Sequence, residues 1–134
     1  MQSDPPAVAA GTTVELILPW PYKGLSPNAR LMPLALARVK ARYKKDCKVL
    51  ALAVRNGQNI DYPLRAPVNA RIVFSVPKGD LPDEDNAIAS FKAGMDAIVD
   101  SKLLIDDNPE HLHSEVVITR GARREVRVEL RGAS

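Results

Sequence analysis

The chain has 134 residues, 46% of them apolar, and a formal net charge of +3. That length suits one domain, and the apolar share is enough to fill its core. A single cysteine, Cys47, excludes an internal disulfide; without a signal-like leader or an apolar run able to span a bilayer, the expectation is a cytoplasmic protein with no membrane partner.

Residues 1–11, MQSDPPAVAAG, read as a disordered lead-in, followed by a single folded domain over residues 12–131 and a frayed RGAS end. Residues 12–21 are β-branched and apolar until Pro19 and Pro21, which cannot donate to a ladder, and predict a first strand. Gly24, Pro27 and Asn28 then supply turn chemistry. From about Leu31 to Val54 the apolar residues Met32, Leu36, Val39, Tyr43, Cys47, Leu50 and Val54 recur at three- and four-residue steps, which predicts a long amphipathic helix starting near Pro33. Val68, Ala70, Ile72, Phe74 and Val76 alternate and predict a second strand. A second helix should carry Ile88, Phe91, Met95 and Ile98 as its inward stripe, and residues 115–130 read as a C-terminal hairpin turning at Gly121. The expected fold is α+β in the order β-α-β-α-β-β, one mixed sheet with two main helices packed on it.

Charge is divided along the chain. Residues 26–55 hold eight basic side chains against the single Asp46, whereas residues 79–110 hold nine acidic side chains against Lys92 and Lys102. Apolar residues are interleaved in both segments, so each should fold with a charged side.

The acidic segment opens with LPDEDN. Asp83 and Asp85, two apart, point the same way where the backbone is extended, and Asp106 or Asp107 brings a third carboxylate on the loop after the helix. Hard oxygen donors in that number suit Mg²⁺ or Mn²⁺. The same residues also read as a solvated turn and helix cap. A calcium loop of the EF-hand kind does not fit, because Ala87 and Ile88 stand where an oxygen ligand and a glycine are required. Zinc is disfavoured too, since Cys47 stands alone and His111 and His113 have no partner pair. On a continuous helix Asp85, Lys92 and Asp96 share one face, where Lys92 could pair with Asp96 or contact a phosphate.

Four pieces in order, LPWPYKGLSPNAR, DEDN, KAGMDAI and LLIDD, followed by the terminal hairpin, resemble the RusA-type Holliday junction resolvases, Mg²⁺-dependent endonucleases common in prophages. The resemblance covers about residues 14–130. It implies that Asp83, Asp85 and Asp107 are metal ligands for Mg²⁺, with Mn²⁺ able to substitute, and that Lys92 completes the catalytic set. The family pattern sets its lysine four residues after the second aspartate, whereas Lys92 lies seven after Asp85, a shift of about 4.5 Å along a helix axis. The implied activity is resolution of four-way junction DNA by paired symmetric nicks in recombination and repair, carried out by a homodimer. The basic segment would supply phosphate contacts, with Arg30, Lys44, Lys45 and Lys48 as candidates. Two rival readings are a branched-DNA-binding protein without catalysis and a plain interaction domain without affinity for DNA.

Overall fold

The computed structural model describes residues 12–58 and 60–133. The expected lead-in over residues 1–11 lies outside them. Four strands form one mixed sheet: β1 (Thr13–Pro19), β2 (Val68–Val76), β3 (Leu112–Arg120) and β4 (Glu125–Arg131), in the spatial order β1-β4-β2-β3. β4 runs antiparallel to both β1 and β2, and β2 and β3 are parallel. Helices α1 (Pro33–Gly57), α2 (Glu84–Ser90) and α3 (Lys92–Asp100) complete the α+β fold, with a short 3-10 turn at Pro27–Ala29.

Strict alternation makes one face of the sheet apolar. Val14, Leu16 and Leu18 of β1, Val126, Val128 and Leu130 of β4, and Ala70, Ile72 and Phe74 of β2 all point into the core. α1 covers that face with Tyr43, Cys47 and Ala51, and α3 with Ala97 and Ile98. Five of the six aromatic rings form a continuous edge-to-face chain across the core: Trp20, Phe74, Phe91, Tyr43 and Tyr22, with centroids 4.9 to 6.4 Å apart.

Four expectations are corrected. The C-terminal hairpin is not one, because β3 and β4 do not pair; β2 lies between them. The turn at 121–124 carries the chain across the end of β2, and Gly121 packs against the Ser75 side chain, where a Cβ would lie 2.0 Å from Ser75 Oγ unless that hydroxyl rotated away. The second helix is two helices, broken at Phe91 (φ −94°, ψ 0°), whose N–H is shared between Ala87 and Ile88 carbonyls. The break turns the first segment so that Ala87, not Ile88, faces inward; Ile88 is 46% exposed, while Phe91 and Ile98 are buried and Met95 is partly so. On α1, Ala51 takes the inward place assigned to Leu50, which is exposed, and Met32 at the start of the helix is exposed as well. Residues 131–133 are not frayed either, since Gly132 N–H donates to Thr12 O at 2.8 Å and Ala133 N–H to Arg65 O at 2.7 Å.

No helix among the described residues is long and apolar enough to cross a membrane. Cys47 is fully buried, and burial pushes its thiol up to about 11, which leaves it protonated and unreactive at neutral pH.

Candidate active site

The DEDN segment lies where the chain turns from loop into α2. Asp83 is the residue before the first helical turn, with extended backbone (ψ 148°), and its carbonyl accepts from Ala87 N–H; its carboxylate makes no capping bond. Asp85 is already helical. Residues two apart on a helix point about 200° apart, so the extended geometry that would align Asp83 with Asp85 ends one residue too early. Both are exposed.

The fold gathers a different set. Glu84, Ile88 and Lys92 fall at four-residue steps and, with Asp107, line a pocket of about 390 Å³ against Ile72, Phe74 and Leu112 of the sheet. Of the sequence-assigned residues, Lys92 and Asp107 are therefore brought together; Asp83 and Asp85 are not part of that lining. Glu84 was missed by sequence reasoning, although its place four residues before Ile88 and eight before Lys92 is a visible signal.

The adjacent pair Asp106 and Asp107 divides by role. Asp106 Oδ1 accepts from Asp107 N–H at 2.7 Å and Asp106 Oδ2 from the Asn108 amide at 2.9 Å, and these bonds hold the Asp106 carboxyl below its usual range. Asp106 thus shapes the turn, and Asp107 is left free to face the pocket. Asn108 also accepts from His111 N–H and lies 2.7 Å from His111 Nδ1, so His111 is a turn residue. His113 lies exposed on β3.

The donor set fits a hard divalent cation in kind but not as a closed cage. Among the described residues, no group of three or more His, Cys, Asp or Glu is gathered closely enough to hold a metal ion. Asp83, Glu84, Asp85 and Asp107 have no ion-pair partner among those residues, and uncompensated like charges keep apart. Glu84 and Asp107 do match the one or two carboxylates that magnesium takes alongside water and phosphate oxygens.

The basic segment reaches the acidic one through packing. α1 lies against α3, and Lys40 and Lys44 share a groove of about 190 Å³ with Lys92 and Asp96. Lys44 is engaged there, its Nζ 2.8 Å from Asp100 Oδ2, a bond that raises the Lys44 pKa and lowers that of Asp100. Lys45 is exposed and Lys48 half-buried on the same helix. Arg30 is exposed in the left-handed region (φ 54°), just after the 3-10 turn. Sequence reasoning also passed over Arg120, Arg123 and Arg127, which line a groove of about 420 Å³ by the 121–124 turn.

Near these cations Tyr22 donates its hydroxyl to Asp46, and that hydrogen bond, with burial and the Asp46 charge, pushes the phenol up to about 12. A raised folded-state value means that the bond's contribution is complete below the ordinary tyrosine value of about 10 and is lost as pH rises through about 12. In an alkaline absorbance titration, tyrosinate should form in the folded protein at higher pH than in the denatured chain. Tyr22→Phe should remove part of that late-titrating signal; coincident curves for folded and denatured protein would contradict the Tyr22–Asp46 bond.

No protein-family model matches the chain. An uncharacterized protein of Xylella fastidiosa (strain Temecula1 / ATCC 700964) is 33% identical to it over 114 residues, spanning 78% of this chain and 73% of the relative. At that identity and coverage, the chain belongs to the same family as the Xylella protein.

Proposed function

We propose that this protein is a metal-dependent, structure-specific endodeoxyribonuclease that resolves four-way DNA junctions by paired nicks, acting as a homodimer in recombination and repair in the cytoplasm. The observation that carries the reading is the meeting of Lys92 and Asp107, fifteen residues apart in sequence, in one pocket at the acidic start of α2, beside the lysines of α1. Magnesium, or manganese in its place, would be held by Asp107 with Glu84 or with the Asp83 and Asp85 carboxylates, and would supply an activated water and charge neutralisation. Lys92 offers a cation to a phosphate entering the pocket. Lys40, Lys45 and Lys48 supply phosphate contacts outside it, so affinity should fall with salt.

A second reading, a branched-DNA-binding protein without catalysis, is favoured by one observation: the acidic side chains do not converge into a three-carboxylate site. A labelled synthetic four-way junction incubated with Mg²⁺, Mn²⁺ or EDTA separates the two. Paired nicks only with metal are the expected result. A junction retarded on a gel but intact in every metal supports the binding reading, and no salt-dependent binding at all removes both.

A further inference from the structure

The segment WPYKGLSPN builds a groove that the acidic pocket does not use. Leu25 N–H donates to Tyr22 O at 3.0 Å to close a turn, and Gly24 at φ +105° continues it; a Cβ there would lie 2.6 Å from Leu31 Cδ1. Folded back in this way, the loop stands opposite α2 and leaves a groove of about 540 Å³ lined by Trp20, Tyr22, Asn28, Pro82 and Asn86 among others.

Its chemistry is specific. The walls offer two aromatic side chains, and two carboxamides come from opposite sides, Asn28 from the loop and Asn86 from α2. Neither carboxamide has a hydrogen-bond partner among the described residues; only the backbone N–H of Asn28 is engaged, by Ser26 Oγ. A carboxamide carries a donor pair and an acceptor side by side, which matches the edge of a nucleobase. Positive charge lies beside the aromatic wall, where Lys23 lines the groove, the Arg42 guanidinium lies 5.7 Å from the Tyr22 ring centre and that of Arg124 5.3 Å from the Trp20 ring centre, while the opposite wall, Pro82 and Asn86, adjoins Asp83 and Asp85. The carboxylate nearest Tyr22, Asp46, is already bonded to its hydroxyl.

We propose that this groove takes one unpaired nucleobase of a DNA strand, packed against Trp20 and Tyr22 and read by Asn28 and Asn86, with the flanking phosphates on Lys23, Arg42 and Arg124. Asn86 directly follows Asp85, so a strand held this way passes beside the carboxylates at the start of α2. The choice of DNA as occupant rests on the nuclease reading; aromatic stacking and amide contacts give the groove its selectivity for a base over a bare phosphate.

Trp20 is the one tryptophan of the chain, so its fluorescence reports on the groove directly. The test titrates the full chain, in EDTA, with a short oligothymidylate and with an abasic strand of equal length. Saturable quenching by the oligothymidylate, at least several-fold weaker with the abasic strand, is expected. Asn28→Ala and Asn86→Ala, with circular dichroism spectra unchanged, should each raise the half-saturating concentration on the order of tenfold. Equal quenching by both strands, no quenching by either, or no effect of either variant overturns the proposal. Quenching by a proline-rich peptide but not by the oligothymidylate overturns it in favour of peptide docking. Because no metal is present, the outcome is separable from cleavage: quenching with an uncut junction counts against the nuclease alone, and nicking without quenching against the groove alone.

Discussion

Asp107→Asn should lower nicking of a four-way junction on the order of a hundredfold or more, with junction binding unchanged or tighter, as expected when a metal-holding carboxylate is lost from a site that phosphate must approach. Asp106→Asn should cut at close to the parent rate. Its carboxylate is spent on Asp107 N–H and the Asn108 amide, so its loss loosens a turn rather than emptying the pocket. The reverse ranking would mean that the two adjacent carboxylates have been assigned the wrong way round. Glu84→Gln adds a sharper division. A loss equal to that of Asp107→Asn, together with weakened Mn²⁺ binding by electron paramagnetic resonance, locates the ion between Glu84 and Asp107. Full activity in Glu84→Gln with loss in Asp83→Asn and Asp85→Asn locates it instead at the start of α2.

Phe91→Ala should be the most damaging substitution in the helical layer, costing about 3–5 kcal/mol, whereas Ile88→Ala should stay within about 0.5 kcal/mol. Phe91 is 2% exposed and sits edge-to-face against both Phe74 at 5.9 Å and Tyr43 at 6.4 Å. Truncating it opens a cavity at the centre of the aromatic chain, and Gly94, packed directly on the ring, has no side chain with which to fill it. Ile88 is 46% exposed. Urea denaturation of both variants reads the difference in midpoints. Equal losses would mean that α2 presents Ile88 to the core and that the break at Phe91 is not there.

That comparison also marks what could be read from the residues alone. Strand positions were legible because alternation is local: Val14, Leu16 and Leu18 declare their face without reference to any neighbour. The partner of a strand is not local. Residues 115–130 carry two alternating runs and a turn, and nothing in them says that β2 will insert between the two. The clue was in the contrast, since β4 buries alternate residues fully while β3 has only half-buried apolar residues at Val116, Val117 and Ile118, as suits an edge strand. The break at Phe91 was hidden because a helical wheel assumes an unbroken axis, and shifting that axis exchanged Ile88 for Ala87.

The candidate site was legible only in part. Lys92 and Asp107 were named and do meet in one pocket. Asp83 and Asp85 were aligned on the assumption of extended backbone, and the helix starts at Glu84, between them. Lys44 was a candidate for phosphate contact, but it is paired with Asp100, 56 residues away, beyond any pattern in the chain.

The place of β4 in the sheet has a consequence for synthesis. Thr13 pairs with Arg131, so β1, made first, has no partner until the last strand has been made. On the ribosome, a nascent chain that has released only residues up to 120 can dock its helices and pair β2 with β3, yet its first strand and one edge of β2 remain open. The backbone edge of β1 then stays open to chaperones or to other nascent chains until β4 emerges. Closure of the sheet is a late, long-range event, and a stall before β4 would leave a chain with its helices formed and one of its two central strands missing.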